Sequence, residues 1–237
     1  MLYPLLLACG AALLFAYVRE KIRAYSVKAV LLKSLVSALF VAVGVYGAWR
    51  SAAKGAVSPL APFVVLGLVF GLLGDIWLDL KYVFPEKDSP FTYAGFCVFG
   101  VGHILYIVGM LLTYYPSDKP MTVIVPVLLA LVLSIGNAVL EKPMKLSYGK
   151  FKSVVIAYGV ILFAMVLISG SFALYYGWEK TSLNLIFVGG VFFAISDLIL
   201  SGTYFGTGKE RPIDLALNYI TYYAGQFLIA SALVFIG

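Results

Sequence analysis

Apolar residues fill long runs of this chain, and short clusters of charged residues, glycine and proline separate the runs. A run of about 20 apolar residues is what an α-helix needs to cross roughly 30 Å of hydrocarbon. The sequence shows no alternating in/out pattern of a membrane β-barrel, and backbone groups in lipid must be bonded within their own segment, so we expect helices. The pattern predicts one all-α transmembrane domain over residues 1–237, with about eight spans at residues 2–18, 25–49, 58–81, 90–114, 120–140, 150–176, 181–203 and 212–236.

Composition favours an integral membrane protein over a very apolar soluble one. Hydrophobic residues make up 62% of the chain and charged residues only 12%, whereas a soluble domain carries roughly 25% charged residues. The net charge of +6 does not indicate a nucleic-acid partner, because lysine and arginine lie mostly in the short segments between spans. We expect a multi-pass protein of a bacterial cytoplasmic membrane, or of the endoplasmic reticulum in a eukaryote.

Basic residues also predict an orientation. Cytoplasmic connections carry an excess of lysine and arginine. The odd-numbered connections hold Arg19, Lys21, Arg23, Lys81, Lys87, Lys142, Lys145, Lys150, Lys152, Lys209 and Arg211. The even-numbered connections hold only Arg50, Lys54, Lys119 and Lys180. The sequence thus places the odd connections in the cytoplasm and both termini on the non-cytoplasmic side.

Two pairs of segments suggest an internal duplication. Residues 67–79 resemble residues 189–201 at a constant offset, and residues 99–105 resemble residues 222–228. Apolar helices also look alike by chance, so duplication is one of two interpretations.

If the duplication is real, residues 1–117 and 118–237 form two four-helix repeats. An even number of spans keeps both halves in the same orientation, related by an axis along the membrane normal. Asp75 then corresponds to Asp197 and His103 to Gln226. The duplication therefore predicts that the two aspartates face each other across one site.

Several polar residues interrupt the apolar spans. A charged side chain costs about 2.5–3.5 kcal/mol or more at the centre of a membrane helix, so such residues usually line a cavity or form pairs. The candidates are Lys33, Asp75, Asp79, His103 and Asp197, accompanied by Tyr106, Tyr158, Tyr222 and Gln226.

Each candidate also has a purely structural interpretation. The aspartates can bond neighbouring helices, and Asp79 can be a solvated residue at the mouth of a cavity. The single histidine, His103, can be a packing element, and Lys33 can reach the membrane surface or neutralise a carboxylate. One histidine and no paired thiols make no metal cluster, so no metal is expected.

The ordered motifs resemble those of a known family. These motifs are Gly74-Asp75 in the third span, Gly102-His103 to Tyr106, Phe193 to Asp197, and Tyr222 to Gln226. Their order and spacing are similar to those of the YhhN-type membrane family, whose characterised members are lysoplasmalogenases.

This resemblance implies eight transmembrane helices and hydrolysis of the vinyl ether bond of lysoplasmalogens. The products are a fatty aldehyde and glycerophosphoethanolamine or glycerophosphocholine. It implies Asp75 and Asp197 as the catalytic pair, a lysophospholipid drawn from the bilayer as substrate, and no cofactor. Asp79 is not part of the family pattern, so the headgroup preference stays open.

The implied chemistry suits two carboxyl groups in different states. A proton must reach the β-carbon of the vinyl ether, and water must then capture the oxocarbenium ion, as in glycosidases that use one acid and one carboxylate. The sequence does not say which aspartate is the acid. Lys33 or Tyr158 is expected to keep the other one ionised, and His103 to shuttle protons or bind phosphate.

Two other classes of protein fit the same residues. A small proton-coupled transporter also carries buried carboxylates and repeats, and a lipid-binding membrane scaffold needs no chemistry from them. A transporter moves its substrate intact across a sealed membrane, whereas an enzyme releases aldehyde in detergent. The sequence makes no prediction about the oligomeric state.

Overall fold

Long α-helices form most of the computed structural model of the chain, which describes residues 2–23, 26–206 and 211–236. Within those residues there is no β-strand, only an isolated bridge between Leu146 and Gly206. The helices are α1 (Leu2–Arg23), α2 (Val27–Ala53), α3 (Leu60–Val83), α4 (Asp88–Tyr114), α5 (Met121–Val139), α6 (Lys152–Tyr175), α7 (Thr181–Phe205) and α8 (Pro212–Ser231). The all-helical prediction is confirmed for the described residues.

Seven of these helices are long and apolar enough to cross a membrane by length and composition. The remaining one, α8, has 20 residues and includes Asp214, Asn218 and Gln226. Its polar positions Asn218 and Gln226 are buried against other helices, so α8 does not need an apolar surface all round. The chain is therefore a multi-pass membrane protein with seven or eight spans.

The end of α1 differs from the predicted span. The sequence interpretation ended the first span at residue 18 and assigned Lys21 to the first connection. In the structure α1 continues to Arg23, and Lys21 is buried within its last turn. The charge does not end the helix because the ammonium group lies 2.9 Å from the carboxylate of Asp79.

Contacts between connections show which of them lie at the same end of the bundle. The segment between α5 and α6 reaches the end of α7, where the Ser147 amide donates to the Phe205 carbonyl at 2.8 Å. The Tyr93 hydroxyl, near the start of α4, donates to the Lys150 carbonyl before α6. At the opposite end, Ser51 of α2 donates to the Leu233 carbonyl. These odd-numbered connections therefore lie at the same end of the bundle. That this end faces the cytoplasm stays a prediction. Lys209, which contributed to that prediction, lies outside the described residues.

Helix packing follows the same order in both halves of the chain. In the first half α1 packs on α2, α2 on α3 and α3 on α4, and in the second half α5 packs on α6, α6 on α7 and α7 on α8. The halves meet where α2 contacts α8 and where α6 contacts α4, which are equivalent pairs if the halves are exchanged. This order is what the predicted repeat requires.

Glycine pairs make the closest helix crossings at corresponding places. A Cβ atom on Gly102 of α4 would lie 3.0 Å from the Gly67 carbonyl oxygen of α3. A Cβ atom on Gly225 of α8 would lie 2.7 Å from the Gly189 carbonyl oxygen of α7. Small residues permit such close backbone approach between membrane helices. The two crossings involve the residues that the sequence comparison aligned, although the duplication itself stays a prediction.

Candidate functional site

Asp75 lies on the buried face of α3 and receives hydrogen bonds from two helices. Its Oδ2 accepts from the Ser37 hydroxyl of α2 at 2.6 Å and from the Tyr222 hydroxyl of α8 at 2.7 Å. The Lys33 ammonium group lies 3.2 Å from its Oδ1. The side chain is only 2% exposed, so these partners replace water as the solvent of the carboxylate.

Asp79 lies one turn further along α3 and completes a buried group of four charges. Its Oδ1 is 2.9 Å from the Lys21 ammonium and 3.3 Å from the Lys33 ammonium. The Tyr17 hydroxyl donates to its Oδ2 at 3.3 Å. Two lysines and two aspartates balance to zero formal charge, so each of these buried groups lies within 3.3 Å of a group of opposite formal charge.

The burial and ion pairs of Asp79 and Lys33 decide between the structural interpretations that the sequence left open for them. Asp79 is 1% exposed, so the interpretation of Asp79 as a solvated mouth residue is wrong. Lys33 is 5% exposed and pairs with both aspartates. It therefore neutralises carboxylates and does not extend to the membrane surface.

Asp197 has a different environment on α7. Its Oδ2 accepts a hydrogen bond from the Tyr158 hydroxyl of α6 at 2.5 Å. The same hydroxyl lies 3.4 Å from Nε2 of His103 on α4. Among the described residues no lysine or arginine forms an ion pair with Asp197, so this carboxyl group lacks the cationic partner that Asp75 has.

The tautomer of His103 follows from this chain of bonds. Tyr158 donates its single proton to Asp197, so its oxygen accepts from Nε2–H of the imidazole. His103 is 1% exposed and its Nδ1 has no hydrogen-bond partner in the described part of the chain. The ring also packs edge-on against Phe193, with centroids 4.6 Å apart. The His103 ring therefore lies where its Nε2 can bond to the Tyr158 hydroxyl and orient it.

One cavity reaches both aspartates. It has an empty volume of about 970 Å³, part of which is open to its surroundings. Asp75, Asp197, Lys33, Tyr158 and Tyr222 contribute to its wall. Its apolar part is lined by Phe96, Phe99, Leu162, Phe163, Phe193 and Ala194.

Tyr106 and Gln226, the remaining predicted site residues, lie behind Tyr222, which bonds to Asp75. Gln226 of α8 donates through Nε2 to the Tyr222 hydroxyl at 3.2 Å, and its Oε1 accepts from the Tyr106 hydroxyl at 3.3 Å. Gly71 leaves the space for this amide, since a Cβ atom there would lie 2.6 Å from Nε2. Tyr106 and Gln226 do not line the cavity. They hold the Tyr222 hydroxyl, which donates to Asp75.

The two carboxyl groups are held by equivalent helices. Asp75 of α3 is bonded from α2 and α8, while Asp197 of α7 is bonded directly from α6 and, through Tyr158, by His103 of α4. Exchanging the two halves converts one set of helices into the other. The bonding side chains differ, however: lysine and serine stand near Asp75, where a tyrosine stands near Asp197. The two carboxyl groups therefore have chemically distinct surroundings.

Sequence reasoning missed several residues around the site. Ser37 follows Lys33 by one helical turn, so the spacing was available as a signal. Tyr17 and Lys21 share one face of α1, but the predicted end of that span removed Lys21 from consideration. Asn137 and Ser201 line the same cavity. Asn137 lies in no motif, and Ser201 ends the aligned segment 189–201 at the position that corresponds to Asp79.

The comparisons with known proteins agree with the motifs. The model of the YhhN family matches residues 28–233, which is most of the chain. No curated protein and no solved structure matches the chain. The matched region contains every predicted site residue.

Proposed function

We propose that this chain, which belongs to the YhhN family, is a membrane-embedded lysoplasmalogenase that hydrolyses the vinyl ether bond of single-chain alkenyl phospholipids. The observation that carries the proposal is the pair of unlike carboxyl groups on one largely apolar cavity. Asp75 is ion-paired and bonded by two hydroxyl groups, whereas Asp197 has a tyrosine donor and no ion pair among the described residues.

The surroundings of each aspartate suggest its role. A carboxylate beside an ammonium group and two hydroxyl donors is stabilised in its charged form, and a partly buried carboxyl group without a cation lacks that stabilisation. We therefore assign Asp197 as the acid and Asp75 as the base. Tyr158, oriented by His103, directs the proton of Asp197 by occupying its Oδ2, which leaves Oδ1 to carry the proton.

The proposed reaction has four proton movements and regenerates the enzyme. Asp197 protonates the β-carbon of the vinyl ether, which converts the ether oxygen and α-carbon into an oxocarbenium ion. The negative charges of both carboxylates stabilise this cation. Water attacks the α-carbon and gives a proton to Asp75, which forms a hemiacetal.

The hemiacetal then collapses between the same two groups. Asp75 returns its proton to the leaving glycerol oxygen, and Asp197 takes the proton of the hemiacetal hydroxyl. The carbon–oxygen bond to glycerol breaks, and the products are a fatty aldehyde and a glycerophospho-headgroup. Both aspartates end in their starting states, so the chemistry requires no further reactant besides water.

The apolar lining of the cavity fits the hydrocarbon chain of an alkenyl lysophospholipid. Phenylalanine and leucine side chains beyond Asp197 offer an apolar surface to a hydrocarbon chain. The hydrocarbon chain of a single-chain lipid in the bilayer is already out of water. The transfer of its chain from lipid to the cavity therefore costs little free energy.

The test is the release of aldehyde from an alkenyl lysophospholipid by purified, detergent-solubilised protein. We expect release with an ethanolamine or a choline headgroup, and none from the saturated ether analogue. In heavy water the aldehyde should carry one deuterium on the carbon next to the carbonyl group, because the enzyme delivers that proton. Asp197→Asn and Asp75→Asn should each lower the rate by about 10²–10⁴-fold.

Asp118→Asn is the matched control, because Asp118 is an exposed carboxylate outside the cavity. It should keep the wild-type rate. No release from folded wild-type protein with either headgroup would overturn the assignment. In that case proton-coupled flux into sealed liposomes, lost in the same aspartate variants, would favour the transporter.

A further inference from the structure

A second polar cluster lies on the wall of the cavity, away from the two aspartates. It consists of Asn137 of α5, Tyr148 of the following connection and Ser201 of α7. Asn137 donates through Nδ2 to the Tyr148 hydroxyl at 3.0 Å, and that hydroxyl lies 3.4 Å from Ser201 Oγ. Asn137 and Ser201 line the cavity, while Tyr148 joins them from behind.

Asn137 is an unusual residue for the apolar helix α5. α5 contains no charged residue, and Asn137 is its only amide. An amide in an apolar membrane segment is unfavourable unless it is hydrogen-bonded, and such residues commonly mark a functional cavity. The bond to Tyr148 uses one of the two amide N–H donors, so the other donor and the carbonyl oxygen retain hydrogen-bonding capacity.

Tyr148 makes the arrangement rigid. Its side chain is 1% exposed, and its ring packs edge-on against Phe205 with centroids 5.0 Å apart. The neighbouring Leu146–Gly206 bridge attaches this connection to the end of α7. Asn137 and Ser201 therefore present preorganised, uncharged donors and acceptors to the cavity, which suits a neutral hydroxyl group better than a phosphate.

The spacing between Asp197 and Ser201 matches the distance between the protonated carbon of the substrate and its free glycerol hydroxyl. Ser201 follows Asp197 by four residues on α7, which places it about 6 Å further along the helix axis. In an alkenyl lysolipid, five bonds separate the β-carbon that accepts the proton from the oxygen of the free glycerol hydroxyl. With ordinary bond lengths this extended segment also spans roughly 6 Å.

Resting on the proposed function, we propose that Asn137 and Ser201, positioned by Tyr148, bind the free hydroxyl at the central glycerol carbon of a single-chain ether phospholipid. The same contact disfavours two-chain lipids, because their central oxygen is esterified and cannot donate a hydrogen bond. The cluster thus recognises the lyso form of the substrate.

The experiment measures binding of two saturated ether lipids that the enzyme cannot cleave. One probe carries the free hydroxyl at the central glycerol carbon, and the other carries hydrogen there. We expect wild-type protein in detergent to bind the hydroxyl probe roughly five- to tenfold more tightly, as for one or two well-formed hydrogen bonds. Ser201→Ala and Asn137→Leu should reduce this ratio towards one and leave affinity for the deoxy probe unchanged.

Ser169→Ala is the matched control, because Ser169 is a buried serine of α6 that bonds only to the Val166 carbonyl of its own helix in the described structure. It should retain the wild-type ratio. Equal affinity of the wild type for both probes, or an equal loss for both in the variants, would overturn the proposal. If Asn137→Leu fails to fold, Ser201→Ala still decides, since it removes a single oxygen.

The test separates this proposal from the catalytic one. The probes are not cleaved, so a hydroxyl preference that depends on Ser201 supports the binding site even if no aldehyde is ever released. Aldehyde release with equal affinity for the two probes overturns the binding site alone. On a cleavable substrate, Ser201→Ala should raise KM several-fold and leave kcat unchanged.

Discussion

At the scale of single residues, the Tyr158 hydroxyl joins the chain's one histidine to Asp197. Asp197 at 2.5 Å and His103 at 3.4 Å are its hydrogen-bond partners among the described residues. Removing the hydroxyl does not remove a charge, and the ring still packs against Phe96. The effect should therefore fall on proton delivery and not on folding.

We predict that Tyr158→Phe lowers kcat for aldehyde release by roughly 10–100-fold and changes KM little. The reason is that Asp197 loses the bond that orients its proton, while the apolar wall is preserved. Steady-state kinetics on purified protein measures both parameters. Tyr176→Phe, which removes a hydroxyl bonded to the Tyr114 carbonyl outside the cavity, should behave as wild type; a large rise in KM for Tyr158→Phe would contradict the assigned role.

The four buried charges give a second prediction at this scale. Lys21→Met leaves three of them, with an excess negative charge, and loss of one partner of a buried ion pair costs about 3–5 kcal/mol of unfolding free energy. Replacing Asp79 as well, in Lys21→Met/Asp79→Leu, leaves the neutral pair of Lys33 and Asp75. Thermal unfolding in detergent should show that the double variant recovers at least half of the lost stability.

The stability of the double variant decides whether charge balance stabilises the group. If the double variant is less stable than Lys21→Met alone, the two side chains contribute independently and the charge balance is not what stabilises the group. Lys28→Met serves as the control, because the ammonium of Lys28 pairs with Glu20 at an exposed position. Exposed pairs contribute only about 0–1 kcal/mol.

Single residues also show where sequence reasoning reached its limit. Asp75 and Asp197 stand out because a carboxylate in an apolar run is costly whatever its partners. Lys21 was overlooked because its partner, Asp79, is 58 residues away and only the fold brings them together. Tyr148 lies beside Asn137 and Ser201 because its segment is attached to the end of α7 by the Leu146–Gly206 bridge, a contact that no local pattern encodes.

At the scale of elements, the two glycine crossings set how closely α3 meets α4 and α7 meets α8. These pairs carry Asp75, His103, Asp197 and Tyr222, so their separation determines the width of the site. The positions of the helices along the chain followed from hydropathy. Their crossing points depend on which glycines face a neighbour, and the sequence showed this only through the aligned segments.

We predict that Gly189→Ala destabilises the protein and lowers activity together. Its Cβ would lie 2.7 Å from the Gly225 carbonyl oxygen and 2.8 Å from Ile229, so α7 and α8 must separate. Overpacking of this kind costs about 1–3 kcal/mol. Unfolding in detergent and aldehyde release measure the two effects.

Gly136→Ala provides the matched control, because nothing lies within 4 Å of a Cβ atom at that position. There the alanine should stabilise α5 slightly, by up to about 1 kcal/mol, since it favours helix more than glycine does. Equal stability of the two alanine variants would contradict the importance of the α7–α8 crossing.

At the scale of the whole molecule, the charged side chains inside the described helix bundle lie towards one end of it. Asp75, Asp79 and Asp197 lie near the C-terminal ends of α3 and α7, and Lys33 lies near the N-terminal end of α2. These helix ends adjoin the odd-numbered connections. The site is therefore offset from the bilayer midplane towards the surface that carries most of the lysines and arginines, where a phosphate-bearing headgroup can stay hydrated while its chain enters the cavity.

By the positive-inside rule we predict that this surface faces the cytoplasm, and this orientation can be tested by access to it. Cysteines introduced at Lys142, in an odd connection, should be protected from a membrane-impermeant maleimide in intact cells, whereas cysteines at Lys119, in an even connection, should react. Cys9 and Cys97 are exposed on the described surface, so both must first become serine. Reaction of the cysteine at position 142 and protection of the one at position 119 would show that the orientation is opposite to the predicted one. The cavity mouth would then face the outer surface, and the headgroup of the substrate would enter from the extracellular or periplasmic side.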